Sequence, residues 1–163
     1  MANKDYRHTA PVDFAMRDAD AIEAMMLGPL GISRRNIARI DNASLSDLRR
    51  LVGDTPGSGR LAGFPFAPDS ELYVYFAGHG SKELRAGATE ADAYLLGIDS
   101  YPDDLRRTAF LLDDLVERLR GLQSTRLPEG RVNLILESCF SGRSHTGELI
   151  TGSSAPVHGP PIL

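Results

Sequence analysis

Apolar positions along the chain fall into two kinds of run. Between residues 12 and 28, Phe14, Ala21, Ile22, Met25 and Met26 share a broad face of a predicted helix. Asp13 is placed to cap its amino end, and Gly28-Pro29 to stop it. Ser44 opens a second predicted helix whose apolar positions are Leu45, Leu48, Leu51 and Val52. Asp47 stands three residues after Ser44, the spacing of a capping box with a shorter acid than the usual Glu. A third helix carries Leu112, Leu115, Leu119 and Leu122 on one side, with Asp113, Asp114 and Glu117 near its start or outer face. The other kind of run is continuous rather than periodic. Residues 72–77 and 132–136 are almost wholly apolar and β-prone, as strands covered on both faces are.

Weaker patterns fill the rest. Residues 36–40 are a short candidate strand, and 94–98 an edge strand or hairpin arm. The glycine- and proline-rich stretch 55–68 and the polar stretch 81–93 read as loops, and the Ser/Pro/Gly-rich tail from Gly152 as irregular. This order of helices and strands predicts a three-layer αβα sandwich with a mainly parallel sheet. Its main strands are few for a closed sheet. The expectation is a domain over 1–151, incomplete at both ends, and a tail over 152–163 linking to sheet elements supplied elsewhere.

Composition narrows the function classes. At 163 residues, with 42% hydrophobic and 25% charged residues, the chain suits one soluble domain with a real core. A net charge of −4 gives no long-range attraction to nucleic acid or to an anionic membrane, so neither is expected as a partner. Cys139 is the single cysteine, which excludes an intrachain disulfide and fits a reducing, cytoplasmic compartment. The four histidines show no metal-ligand spacing with it. The acidic residues form no EF-hand pattern, so no metal or other cofactor is expected.

Chemistry concentrates where the two continuous runs end. The first leads into Ala77-Gly78-His79-Gly80, the second into Glu137-Ser138-Cys139-Phe140-Ser141-Gly142. Ligand sites of parallel sheets lie at the carboxyl ends of their strands, so a histidine and the sole thiol there suggest a two-residue nucleophilic site. Ser138 and Ser141 lack the G-x-S-x-G elbow of a serine nucleophile and are expected to serve the turn.

Tyr75-Phe76-Ala77-Gly78-His79-Gly80 and Glu137-Ser138-Cys139-Phe140-Ser141-Gly142 resemble the paired Y-x-x-G-H-G and D-x-C-x-S-G motifs of caspase-like cysteine peptidases. The closer likeness is to metacaspases and bacterial orthocaspases. Glu90 to Asp99 resembles the segment that follows their histidine, and Phe14 to Ala19 their early helix with its R-D-A element, so the likeness spans nearly the whole chain. The resemblance implies a cysteine endopeptidase acting on peptide or protein substrates through a thioester acyl-enzyme. Cys139 would be the nucleophile and His79 its acid–base partner, with the backbone N–H groups of Gly80 and Cys139 as oxyanion donors. Glu137, two before the nucleophile, and Asp18 in the early helix would form a pocket for Arg or Lys. Glu137 departs from the family's aspartate but keeps its charge. Asp99 would lie at the pocket rim or in a surface turn, and Arg143 is a candidate processing site. The family's apolar first strand would end near residues 1–6, and its p10-like strands would come from a carboxyl-terminal subunit or a dimer partner. A non-catalytic caspase-like interaction or scaffolding module is the alternative reading.

Overall fold

The two continuous apolar runs form the centre of the molecule. The computed structural model describes residues 1–84 and 87–143 together with 149–150, of which 141–143 and 149–150 are described by backbone alone. Strand β1 (Glu71–Ala77) pairs in parallel with β5 (Arg131–Glu137), Glu71 facing Arg131 and Ala77 facing Glu137. Alternation along β1 then sorts its side chains into two layers. Val74 and Phe76 point into the main core with Leu48, Leu51, Leu115 and Leu119. Tyr75 and Ala77 pack on the other face against Ala15 and Ala19.

Those faces are covered by the predicted helices. On one side lies α1 (Ala15–Leu27); on the other lie α2 (Leu45–Val52) and α5 (Leu112–Arg126), with the short α3 (Gly59–Ala62) beside α2. The α2 capping box forms as its sequence predicts: the Asp47 N–H donates to Ser44 Oγ, and the Ser44 N–H donates to the Asp47 carboxylate. The first helix starts differently. Its N-cap is Phe14 in a helical conformation with no side-chain cap bond, so Asp13 does not cap it. The helix is held by Ala15 and Ala19 on the sheet rather than by its cap.

The sheet is less parallel than its sequence suggests. After β1 the chain continues as β2 (Gly80–Leu84) and returns as β3 (Ala91–Leu95), an antiparallel pair in the stretch that reads as a loop. The polar residues of 81–93 hide it, because Ser81, Lys82, Glu83 and Asp92 sit on half-exposed strands with a wet face. Outside β3 lie the four-residue α4 (Leu105–Thr108) and β4 (Phe110–Leu111); beyond β2 come β6 (Phe140–Arg143) and β7 (Leu149–Ile150). Of the pairings, β1–β5 and β2–β6 are parallel, and β2–β3, β3–β4 and β6–β7 antiparallel. The molecule is thus a small α/β fold with helices flanking a two-stranded parallel sheet and a five-stranded, mostly antiparallel one.

Residues 36–40 are not a strand. A 3-10 turn occupies Arg34–Asn36, after which the chain is extended but meets the sheet only through the bridge between Asp41 and Ala2. Ala2 in turn bridges Ala77, so residues 1–3 form the end of a rung pattern between residue 41 and β1. Asn3, fully buried, fastens that segment: its amide donates to the carbonyls of Ala43 and Leu96, and its oxygen accepts the Ala43 N–H at 2.7 Å. The predicted tail over 152–163 and the side chain of Arg143 lie outside the described residues. Among the described residues no helix is long and apolar enough to cross a membrane.

Candidate active site

One register runs through both parallel pairings. Ala77 faces Glu137 in β1–β5, and Gly80 faces Phe140 in β2–β6, an offset of 60 positions on either side of a short break. The break holds Gly78 and His79 on one strand and Ser138 and Cys139 on the other. His79 and Cys139 therefore occupy the same row of two neighbouring strands, whose backbones lie about 4.8 Å apart in such pairs. The cysteine is free and exposed, and the histidine half-buried.

The imidazole is oriented by its own chain. Nε2 lies 2.8 Å from the carbonyl oxygen of Ala10. A carbonyl can only accept, so Nε2 carries the proton and Nδ1 is left as the basic nitrogen. The His79 backbone N–H donates to the Tyr6 hydroxyl at 2.8 Å, and the Tyr6 and His79 rings pack at 4.7 Å between centroids. The Tyr6 hydroxyl donates onward to the Leu96 carbonyl at 3.3 Å. Burial pushes this phenol up to about 12, against the weaker opposing effect of the bond from His79, so it stays a neutral relay.

Both glycines around the histidine are required by close approach. A Cβ on Gly78 would stand 2.5 Å from the Tyr6 hydroxyl, and one on Gly80 2.6 Å from Ser138 Oγ and 2.7 Å from the Phe140 ring. Gly80 therefore spares a clash within the chain. Ser138 Oγ is buried at this contact, with no hydrogen-bond partner among the described residues.

A second group of polar side chains lies one strand row away. The buried Tyr75 hydroxyl donates to the exposed Glu137 carboxylate. Burial first, then that bond and the charges of Glu137 and Asp18, raise the phenol well above its ordinary range. Asp18 also sits 3.9 Å from Arg17 in an exposed contact worth little. Asp99 is used differently. Its carboxylate accepts the Leu45 N–H at 2.8 Å at the start of α2, from a half-buried turn, the second of its two expected places.

The sequence did not single out Tyr6, Ala10 or Asn3. Ala10 acts through its carbonyl and leaves no side-chain signal. Tyr6 and Asn3 become legible only once residues 1–3 are known to lie on β1. Among the described residues, no group of three or more His, Cys, Asp or Glu could hold a metal ion. No protein-family model matches the chain, and no curated protein matches it either.

Proposed function

We propose that the chain is a cysteine endopeptidase that cleaves after Arg or Lys. The observation that carries this reading is the shared offset on both sides of the break, which sets His79 and Cys139 in one row at the carboxyl ends of adjacent parallel strands. The exposed thiol meets substrate from solvent, and the imidazole is held by Ala10, which leaves Nδ1 as the basic nitrogen.

The chemistry follows from those roles. Nδ1 takes the Cys139 proton, and the imidazolium that forms keeps its Nε2–H on the Ala10 carbonyl. The thiolate attacks the scissile carbonyl, and backbone N–H groups at Gly80 and Cys139 receive the oxyanion. Collapse expels the amine, which takes the proton from Nδ1 and leaves a thioester on Cys139. Water, deprotonated by Nδ1, hydrolyses the thioester and restores the thiol. Glu137, steadied by Tyr75, and Asp18 supply the negative charge that favours a basic P1 side chain and disfavours an acidic one.

Fluorogenic tetrapeptides that differ only at P1 test this. Turnover with Arg or Lys, none with Asp, and loss of all turnover in Cys139→Ala support it. No turnover with any peptide from a folded chain, with a carboxyl-terminal p10-like partner added, overturns it in favour of a non-catalytic interaction module.

A further inference from the structure

The carbonyl that orients His79 belongs to a strap over residues 4–12, closed where the Val12 N–H donates to the Lys4 carbonyl at 3.0 Å. The strap contains no helix or strand, so the place of Ala10 depends on what the strap lies against. The Thr9 hydroxyl donates to the Ala10 carbonyl at 3.4 Å, but Thr9 rides on the strap and cannot anchor it.

Consecutive strap residues lie along one track. The Tyr6 hydroxyl donates to the Leu96 carbonyl, and the Arg7 N–H donates to the Ile98 carbonyl at 2.9 Å. The His8 ring then stacks on the Tyr101 ring, with centroids 3.8 Å apart and planes inclined by 22°. The track under that stack is bonded from within. The Ser100 N–H donates to the Gly97 carbonyl, and the buried Ser100 hydroxyl donates to the Thr108 carbonyl at 2.6 Å. The Tyr101 N–H donates to Thr108 Oγ1 at 2.9 Å, and the Tyr101 carbonyl accepts the Asp104 N–H. The backbone of Tyr101 is thus fixed while its side of the turn stays open to solvent, at 52% exposure. Such a ring adds little to the core; it serves the ring that lies on it.

We infer that Tyr101 is a positioning residue for His79: its stack on His8 clamps the strap to the turn at residues 97–101 and so keeps the Ala10 carbonyl on the imidazole. The inference rests on the acid–base role proposed for His79. Tyr6 secures the backbone of His79 and the start of the strap, but Ala10 lies further on. Between them stand the Arg7 bond and the His8 stack. A stacked aromatic pair shifts an equilibrium about 2–10-fold, so this one sets how much of the time Ala10 meets Nε2 while adding little to the stability of the core. The consequence falls on the other ring nitrogen. With Nε2–H held by Ala10, Nδ1 stays unprotonated and the ring cannot turn; with the strap released, the ring turns and its proton is free to occupy Nδ1, the nitrogen that must take the proton of Cys139.

Solvent exchange of the His79 Nε2–H, followed by nitrogen-15 NMR of the whole chain, tests the clamp without any substrate. The expected result is exchange about 2–10-fold faster in Tyr101→Ala, with the Arg7 and Val12 amides quickened alongside and the β1 amides unchanged. Tyr101→Phe and His8→Phe keep two stacked rings and should exchange as the wild type does. His8→Ala should match Tyr101→Ala, and the double variant should go no further than either, because each removes the same contact. Both residues are exposed, so neither truncation endangers folding. Unchanged exchange in Tyr101→Ala overturns the inference, as does a wild-type ring proton too fast to observe. Equal quickening in Tyr101→Phe, single effects that multiply in the double variant, or quickening that extends to β1 overturn it too. The ring proton reports the clamp whether or not a peptide is cleaved: a chain without turnover counts against the peptidase, and exchange indifferent to Tyr101 counts against the clamp. Where turnover is measured, Tyr101→Ala should lower kcat for a P1-Arg peptide at unchanged KM, and a rise in KM at unchanged kcat overturns the inference.

Discussion

Replacing Tyr6 by Phe removes one oxygen and leaves the ring, so it tests the anchor of His79 with little change in packing. The hydroxyl accepts the His79 N–H at 2.8 Å and donates to Leu96 at 3.3 Å. Its loss leaves the His79 N–H unpaired in a half-buried site, which costs about 1–3 kcal/mol at neutral pH. That is a fall of about 3–8 °C in Tm for a domain of this size. The pH dependence makes the test specific. Tyr6 ionises at about 12 in the folded chain against an ordinary 10.0. Its contribution is complete below pH 10 and is lost as pH rises through 12, because the unfolded chain sheds the proton first. About 2.7 kcal/mol disappears across that window at 1.36 kcal/mol per unit. The gap between wild type and Tyr6→Phe should therefore shrink, or change sign, between pH 9 and 12. Urea unfolding followed by far-UV circular dichroism measures it, since the chain has no tryptophan to report by fluorescence. A gap that stays constant over that range would refute the buried-relay account of Tyr6.

Further outcomes are expected. Glu137→Gln should lower kcat/KM for a P1-Arg peptide at least ~10-fold, by removing the charge of a charge-assisted contact; Tyr75→Phe, which frees the carboxylate, should raise KM more than it lowers kcat. Gly80→Ala puts a Cβ 2.6 Å from Ser138 Oγ and should destabilise by ~1–3 kcal/mol in urea unfolding. Part of that loss should be recovered in the Gly80→Ala/Ser138→Ala double variant. Ser44→Ala should cost about 0.5–2 kcal/mol. The bonds from Ser44 hold Asp47 below its ordinary 3.8, so this cap stabilises above that pH, and the difference in unfolding free energy should narrow on acidification.

What the sequence discloses follows burial. The runs at 72–77 and 132–136 are legible because both faces of β1 and β5 are covered, and α2 and α5 because each buries one face while its cap is local. β2 and the start of β3 escape notice because polar side chains line strands with an exposed face, whereas Tyr94 and Leu95 of β3 fall in the expected hairpin arm. Residues 36–40 carry a strand's composition without the strand, since this stretch meets the sheet only beyond its end, at the bridge between Asp41 and Ala2. At the candidate site, His79, Cys139 and Glu137 are readable as side chains at strand ends. Their supports are not: a carbonyl at Ala10 and a phenol at Tyr6 reach the site from about 70 positions away, and nothing local announces a contact across such a separation.

The central claim is that the imidazole of His79 acts on the sulfur of Cys139, and the rate at which iodoacetamide alkylates Cys139 at pH 6.5 reads that coupling directly. The account predicts a fall of at least ~10-fold in His79→Ala, with the far-UV spectrum unchanged. Equal rates in the two folded proteins would contradict it.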